Sequence, residues 1–215
     1  MENTRGTTIL DDPLVGSATR LMAATSAWDH DTARKLVVAA WPLYQEDHRR
    51  YHTFGHAFEV LKRSNSLARS WGVVGDERAA LLLAALYHDA IYYPTKPKGA
   101  NEMNSASLMA TVCQAVGVRE HIMYRASTLI GLTVDHKPAE FDLTGQCLVD
   151  ADLAGFSATY AEFVTQNEDI RYEYFHVSDE NWLAGRLAVL EHYLWRDPMY
   201  YLLGGEAIRQ AELNL

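Results

Sequence analysis

His88 and Asp89 are adjacent and close the apolar run Ala79-Ala80-Leu81-Leu82-Leu83-Ala84-Ala85-Leu86-Tyr87. Two histidines, His52 and His56, precede them, and two aspartates, Asp150 and Asp152, follow inside another apolar stretch. Neutral imidazole and carboxylate are the hard-to-borderline ligands that divalent metals take. A lone carboxylate turned inward at the end of an apolar helix is costly unless a cation meets it. Three segments thus offer inward-facing donors, and helical bundles build metal sites from such side chains on facing helices. Singly, each residue also has an ordinary structural use: His56 as a cap or surface residue, the aspartates as helix–loop contacts. Asp150 and Asp152 stand two apart, so they point to different faces of a helix, and only one is expected at a shared ion.

The elements that must carry these residues read as helices throughout, with no sustained strand alternation. After a loose polar arm over residues 1–12, the period predicts helices over about 14–28 and 32–47, with Asp29-His30-Asp31 as break and cap and Pro42 as a kink. The next helix opens at Tyr51-His52-Thr53-Phe54-Gly55-His56, with Thr53 as N-cap and Ala57, Val60, Leu61, Ala68 and Trp71 on its apolar face. Asp76 is placed to cap the helix that ends in His88-Asp89. Pro94-Thr95-Lys96-Pro97-Lys98-Gly99 is a loop. Further helices are predicted at about 101–116, 119–133, 144–154, 158–174, 180–196 and 205–213. No repeat, linker or composition shift divides the chain, so residues 1–215 are expected to form one all-α domain.

Composition narrows the function. The chain has 215 residues, 48% of them hydrophobic and 22% charged, an ordinary globular balance. A formal net charge of −9 argues against nucleic acid as a partner, because phosphate-backbone binders carry basic surfaces. A small phosphorylated substrate stays admissible, since a metal can supply the positive charge locally. The only two cysteines, Cys113 and Cys147, lack a CxxC spacing and read as reduced buried thiols. No apolar stretch reaches a membrane span and the N-terminus lacks a signal core, so a soluble cytoplasmic protein without a membrane partner is expected.

The order of His, His-Asp and distal Asp resembles the HD superfamily of metal-dependent phosphohydrolases, an all-α helical bundle. It is most similar to a bacterial branch described as predicted metal-dependent HD phosphohydrolases. Arg50, Tyr51, His52 and His56 match an Arg-x-Tyr-His-x-x-x-His opening. His88, Asp89, Tyr92, Asn101, Glu102, Ser105 and Ala106 match a His-Asp-x-x-Tyr followed by Asn-Glu-x-x-Ser-Ala. Thr133, His136, Asp150, Asp152 and Leu153 match the next block, and Arg171, Glu173, Tyr174, Gly185, Arg186, Glu212 and Leu213 the tail. Tyr87 departs from the branch, where phenylalanine precedes the pair.

The resemblance implies metal ligands at His56, His88, Asp89 and one of Asp150 and Asp152. It favours Asp152, which follows the small Ala151, and leaves Asp150 as the alternative distal ligand. His56 is preferred to His52, which would orient a ligand or line the pocket. The implied cofactor is one divalent ion of Mn, Mg, Fe, Co, Ni or Zn, activating water for attack on a small phosphate monoester or nucleotide. Asp89 and Glu102 are the implied catalytic groups, Glu102 orienting water or serving as general acid. Arg50, His52 and His136 are the implied substrate-binding groups, with His136 also open to a second metal position. Lys62 reads as a surface ion-pair residue, and Arg171 and Glu173 as separate contacts to other helices. Tyr172, Tyr174, Phe175, Tyr200 and Tyr201 read as core or homodimer surface. Two rival readings stand beside the hydrolase: a di-iron oxygenase drawing on His121 and His136, and a non-catalytic nucleotide-binding sensor.

Overall fold

From Ala79 to Tyr87 every residue has 0% solvent exposure. A helix apolar on all sides must be wrapped by others, and this one is the axis about which the chain is arranged. The computed structural model describes Ile9 and residues 12–215. Among the described residues there are ten α-helices and no strand: α1 (Pro13–Ala23), α2 (His30–Ala40), α3 (Phe54–Ser70), α4 (Gly75–Tyr87), α5 (Ala100–Ala115), α6 (Glu120–Leu132), α7 (Leu143–Leu153), α8 (Tyr160–Glu173), α9 (Asp179–Leu194) and α10 (Gly205–Asn214). The fold is an all-α helical bundle.

The buried helix is α4, enclosed chiefly by α3, α6 and α7. Burying each of its four leucines contributes roughly 1.5–3 kcal/mol. Its two polar neighbours in the core are satisfied. The Tyr87 hydroxyl donates to the Leu36 carbonyl at 2.7 Å, and the Tyr44 hydroxyl donates to the Leu86 carbonyl at 2.8 Å. The start of α4 is fastened from outside: Asp76 accepts from Arg119 and lies 2.6 Å from His121, while Glu77 accepts from Arg125 at 3.0 Å and Thr144 at 2.7 Å.

Several local expectations are corrected. Val74, not Asp76, holds the N-cap position of α4, because Asp76 already lies in the first turn and is drawn to the Arg119 guanidinium and the His121 ring. Thr53 does sit at the N-cap of α3, but its side chain makes no capping bond. Pro42 ends α2 rather than kinking it, and Trp41–Tyr44 is a 3-10 turn. The first helix stops at Ala23, where Thr25 Oγ1 and Trp28 Nε1 both donate to the Met22 carbonyl. The loose arm expected over residues 1–12 lies outside the described residues, apart from Ile9 and Asp12. Asp12 is tied down, accepting from the Leu14 N–H and from Trp41 Nε1.

The α7 helix is almost wholly buried and leads into a 3-10 turn at Ala154–Ser157. Its first turn needs Gly145, because a Cβ there would stand 2.6 Å from Asp142 Oδ2 and 2.7 Å from Leu132 Cδ1. Beyond this turn the packing changes. A small second cluster joins Val149 and Leu153 to Met199, Tyr200 and Ala211. The α9 helix has no buried residue at all. Cys113 and Cys147 are free and buried, and burial pushes both thiols up to about 12, which rules out a reactive thiolate at either. No helix among the described residues is long and apolar enough to cross a membrane.

Candidate metal centre and its cavity

The inner ends of α3, α4 and α7 meet. His56 lies in the first turn of α3, His88 caps the C-terminus of α4 with Asp89 next to it, and Asp152 lies near the end of α7. His56 Nε2 stands 3.4 Å from His88 Nε2, 3.6 Å from Asp89 Oδ2 and 3.3 Å from Asp152 Oδ1. His88 Nε2 stands 3.0 Å from Asp89 Oδ2 and 3.4 Å from Asp152 Oδ1. One donor atom from each of His56, His88 and Asp152 lies within 4.8 Å of the others. Donors held roughly 2.1 Å from a common ion lie roughly 3.0–3.4 Å apart at octahedral to tetrahedral angles.

The proton positions make the same point. His88 Nδ1 is 3.0 Å from the Ala85 carbonyl, which can only accept, so Nδ1 carries the hydrogen and Nε2 presents its lone pair to the cluster. Such a backbone acceptor behind the ring is the usual support of a ligating imidazole. Without a cation, the cluster draws a proton instead. Burial works against charge on His88, but Asp89 and Asp152 outweigh it and raise the imidazole well above its ordinary value. Burial likewise opposes ionisation of Asp152, yet His88, His136 and His56 hold its carboxyl well below the usual range. The donor set therefore fits a divalent ion in both spacing and charge.

His136 is spent on Asp152. Its Nε2 lies 3.0 Å from Asp152 Oδ2, and its Nδ1 lies 3.0 Å from the Tyr193 hydroxyl. A carboxylate only accepts, so Nε2 donates and Tyr193 donates to Nδ1. Tyr193 can do so across the ordinary pH range, since burial, with Asp152, pushes it up to about 12. His136 also adopts φ +52, a left-handed conformation costing about 1–3 kcal/mol, with Arg196 bonded to its carbonyl. His136, expected from the sequence at the substrate or at a second metal, lines the cavity and holds the Asp152 carboxylate. His121, the other histidine of the oxygenase reading, is far from the cluster and exposed on Asp76.

Asp150 is turned elsewhere. Its carboxylate accepts the backbone N–H groups of Tyr201, Leu202 and Leu203 at 2.9, 2.6 and 2.9 Å, so it latches the chain before α10. Burial raises it, against those three bonds.

His52 is fastened from behind. Glu173, at the end of α8, accepts the backbone N–H groups of Arg50, Tyr51 and His52 and lies 2.6 Å from His52 Nδ1. The His52 ring stacks on Tyr92 at 3.8 Å. Arg171 does not pair with Glu173; it reaches Asp179 and the Tyr174 and Val177 carbonyls. Lys62 pairs with Glu59 at the surface. Of the aromatic residues grouped in the sequence, Tyr200 is buried, whereas Tyr172 and Phe175 are exposed.

Three of the donor residues, His56, Asp89 and Asp152, line a cavity of about 530 Å³, with His88 buried behind them. Its polar wall includes His52, Lys98, Glu102 and Arg186, and its apolar wall Phe156, Phe163, Ile170 and Val189. Glu102, in the first turn of α5, has a buried Oε2 without a hydrogen-bond partner among the described residues. Arg50 is absent from this wall. It lines an adjacent pocket of about 230 Å³, with its guanidinium 3.8 Å over the Tyr172 ring.

The sequence reading missed Arg49, and it named Arg186 only within the matching tail, without a role. Arg49, beside Arg50, has a fully buried side chain, 2.9 Å from Glu46. It donates to the carbonyls of His52, Asp89 and Ala90 at 2.9, 2.8 and 3.1 Å, joining the segment before α3 to the end of α4. Nothing in the Arg-Arg pair says which one is buried. Arg186 was visible beside Gly185, but no local signal turned it toward the donors.

The fold and the donor cluster together define an all-α helical bundle with a candidate metal site. Residues 53–152 match the family model of the HD domain, from the N-cap of α3 to Asp152 itself. The matched stretch, just under half of the chain, is similar to the HD domain and contains His56, His88, Asp89 and Asp152. Among curated proteins, comparison finds no match.

Proposed function

We propose that the protein is a metal-dependent phosphohydrolase acting on a small phosphate monoester or nucleotide. The observation that carries this reading is the convergence of His56 Nε2, His88 Nε2, Asp89 Oδ2 and Asp152 Oδ1 at one end of an open cavity. These four groups would hold the ion, with Asp152 and not Asp150 as the distal carboxylate. When bound, a divalent ion supplies an acidified water and a counter-charge for phosphoryl oxygens.

The chain's own residues do the rest. His136 holds Asp152 Oδ2, so that Oδ1 stays on the donor side. Glu102 lines the cavity and has a buried carboxylate oxygen without a partner among the described residues; it orients the attacking water or carries a proton to the leaving oxygen. His52, with Nδ1 locked on Glu173, contacts the substrate from the side of Tyr92. Lys98 adds positive charge to the wall. The Phe156, Phe163, Ile170 and Val189 wall receives the apolar part of the substrate and displaces water from it.

The position of His121 leaves the oxygenase reading without one of its two spare histidines. A phosphate-release screen over monoesters and nucleotides, run with added Mn, Mg, Co, Ni or Zn and with chelator, tests the proposal. Chelator-sensitive release of inorganic phosphate is expected. Turnover unaffected by chelator, or dioxygen consumption without phosphate release, would overturn it.

A further inference from the structure

Arg186 differs from the other cation of the cavity. Lys98 has a side chain 72% exposed and is paired with Asp135. Arg186 is half-buried on α9, outside residues 53–152. Among the described residues no carboxylate lies within ion-pairing distance of it. Tyr51, Tyr92, Tyr174 and Tyr193 line the same cavity, and burial holds Arg186 below the ordinary arginine value. A guanidinium withdrawn from water with no counter-ion is costly, so its persistence beside an open cavity needs a reason.

Its orientation is also set. Asn167 Nδ2 donates to the Phe163 carbonyl at 2.7 Å, which fixes the amide, and Arg186 Nε donates to Asn167 Oδ1 at 2.7 Å. With Nε engaged, the two terminal nitrogens form the part of the fork left for a ligand. A planar pair of N–H donors matches two oxygens of a phosphate or carboxylate. In the same cavity wall, Gly155 lets Tyr51 and Gln166 approach closely: a Cβ there would stand 2.9 Å from both the Tyr51 hydroxyl and Gln166 Oε1.

We propose that Arg186 is the anion-receiving, specificity-determining residue of the cavity, its terminal nitrogens holding oxyanion oxygens of the substrate. Taking that oxyanion as phosphate rests on the phosphohydrolase reading; the empty side of the guanidinium does not. The residue comes from the chain beyond the stretch similar to the HD domain, so selection of the substrate and binding of the metal fall to different parts of the protein.

The test uses the full-length, metal-loaded chain with inorganic phosphate as the probe, read by calorimetry, and the KM and kcat of any phosphate ester found to turn over. Arg186→Gln is expected to weaken phosphate binding about tenfold or more and to raise KM more than it lowers kcat, with metal content unchanged. Arg186→Lys keeps the charge but not the fork, and is expected to fall between wild type and Arg186→Gln. Phosphate affinity equal to wild type in a folded Arg186→Gln or Arg186→Lys chain overturns the proposal. Arg186-dependent phosphate binding without chelator-sensitive release would sink the hydrolase reading alone. Release with Arg186-independent phosphate binding and KM would sink this inference alone.

Discussion

Two helices of similar length, α4 and α9, border the same cavity and are built in opposite ways. From Ala79 onward α4 has no exposed residue and delivers His88 and Asp89 at its end. In α9 nothing is buried, with Leu183 at 59% and Leu187 at 49% exposure, yet it supplies Arg186, Val189 and Tyr193 to the cavity wall. The first is held by packing on every side. The second is held at points: Arg186 on Asn167, Tyr193 on His136, and Trp182 against Tyr174. Ligands that must converge within a few ångströms sit on the rigid element, because close-packed interiors fix side chains in single rotamers. The residues proposed to choose among substrates sit on the element whose surface can change at little cost to the fold.

That contrast can be broken experimentally. The largest effect is expected at the donors: His88→Ala should remove metal retention and lower phosphate release by about 1,000-fold or more, equivalent to about 4 kcal/mol. Next comes the fastening of the core. Leu83→Ala in α4 should destabilise by about 2–5 kcal/mol in denaturant titration. Arg49→Ala should cost about 3 kcal/mol, because it orphans the buried carbonyls of Asp89 and Ala90 together with that of His52. Val189→Ala in α9, by contrast, should change stability by no more than about 0.5 kcal/mol and raise KM by about 3–10-fold. A Val189→Ala chain as unstable as Leu83→Ala would erase the distinction between the two helices.

The smallest effect concerns pH. Burial opposes ionisation of Glu173, but the His52 bond and the backbone N–H groups outweigh it and lower its carboxyl below the ordinary value. A depressed carboxylate stabilises the fold above its unfolded value, and that contribution is lost as pH falls through the folded one. Melting temperatures between pH 7 and pH 4 should therefore drop less steeply in Glu173→Gln than in wild type. Parallel curves would remove Glu173 from the account.

What could be read from the sequence divides along the same line. The helical period located ten helices, most to within a few residues, because an apolar face must be buried wherever it lies. The polar couple at the end of α4 was conspicuous for the same reason: an apolar helix has no other use for it. The supports of the site were hidden. Glu173 is 121 residues from His52 in the chain, and Arg49 looks like Arg50 until the fold buries one of them. Asp76 has the chemistry of a cap, and only the arrival of Arg119 and His121 from α6 and its approach diverts it. Arg186 lies on the half-buried face of α9 with Trp182, Leu190 and Tyr193, but Leu183, Leu187 and Val189 are exposed, so the apolar residues alone do not single out that face. Local patterns expose donors that the core must tolerate, while their positioning depends on contacts between distant segments.

The central claim is that His56, His88, Asp89 and Asp152 hold a divalent ion. Metal content per chain, measured on purified wild type, His88→Ala, Asp152→Ala and Asp150→Asn after equal exposure to Mn or Zn and desalting, tests it most directly. The account predicts bound metal in wild type and Asp150→Asn and its loss in His88→Ala and Asp152→Ala. Metal-free wild type, or equal metal in all four chains, would contradict it.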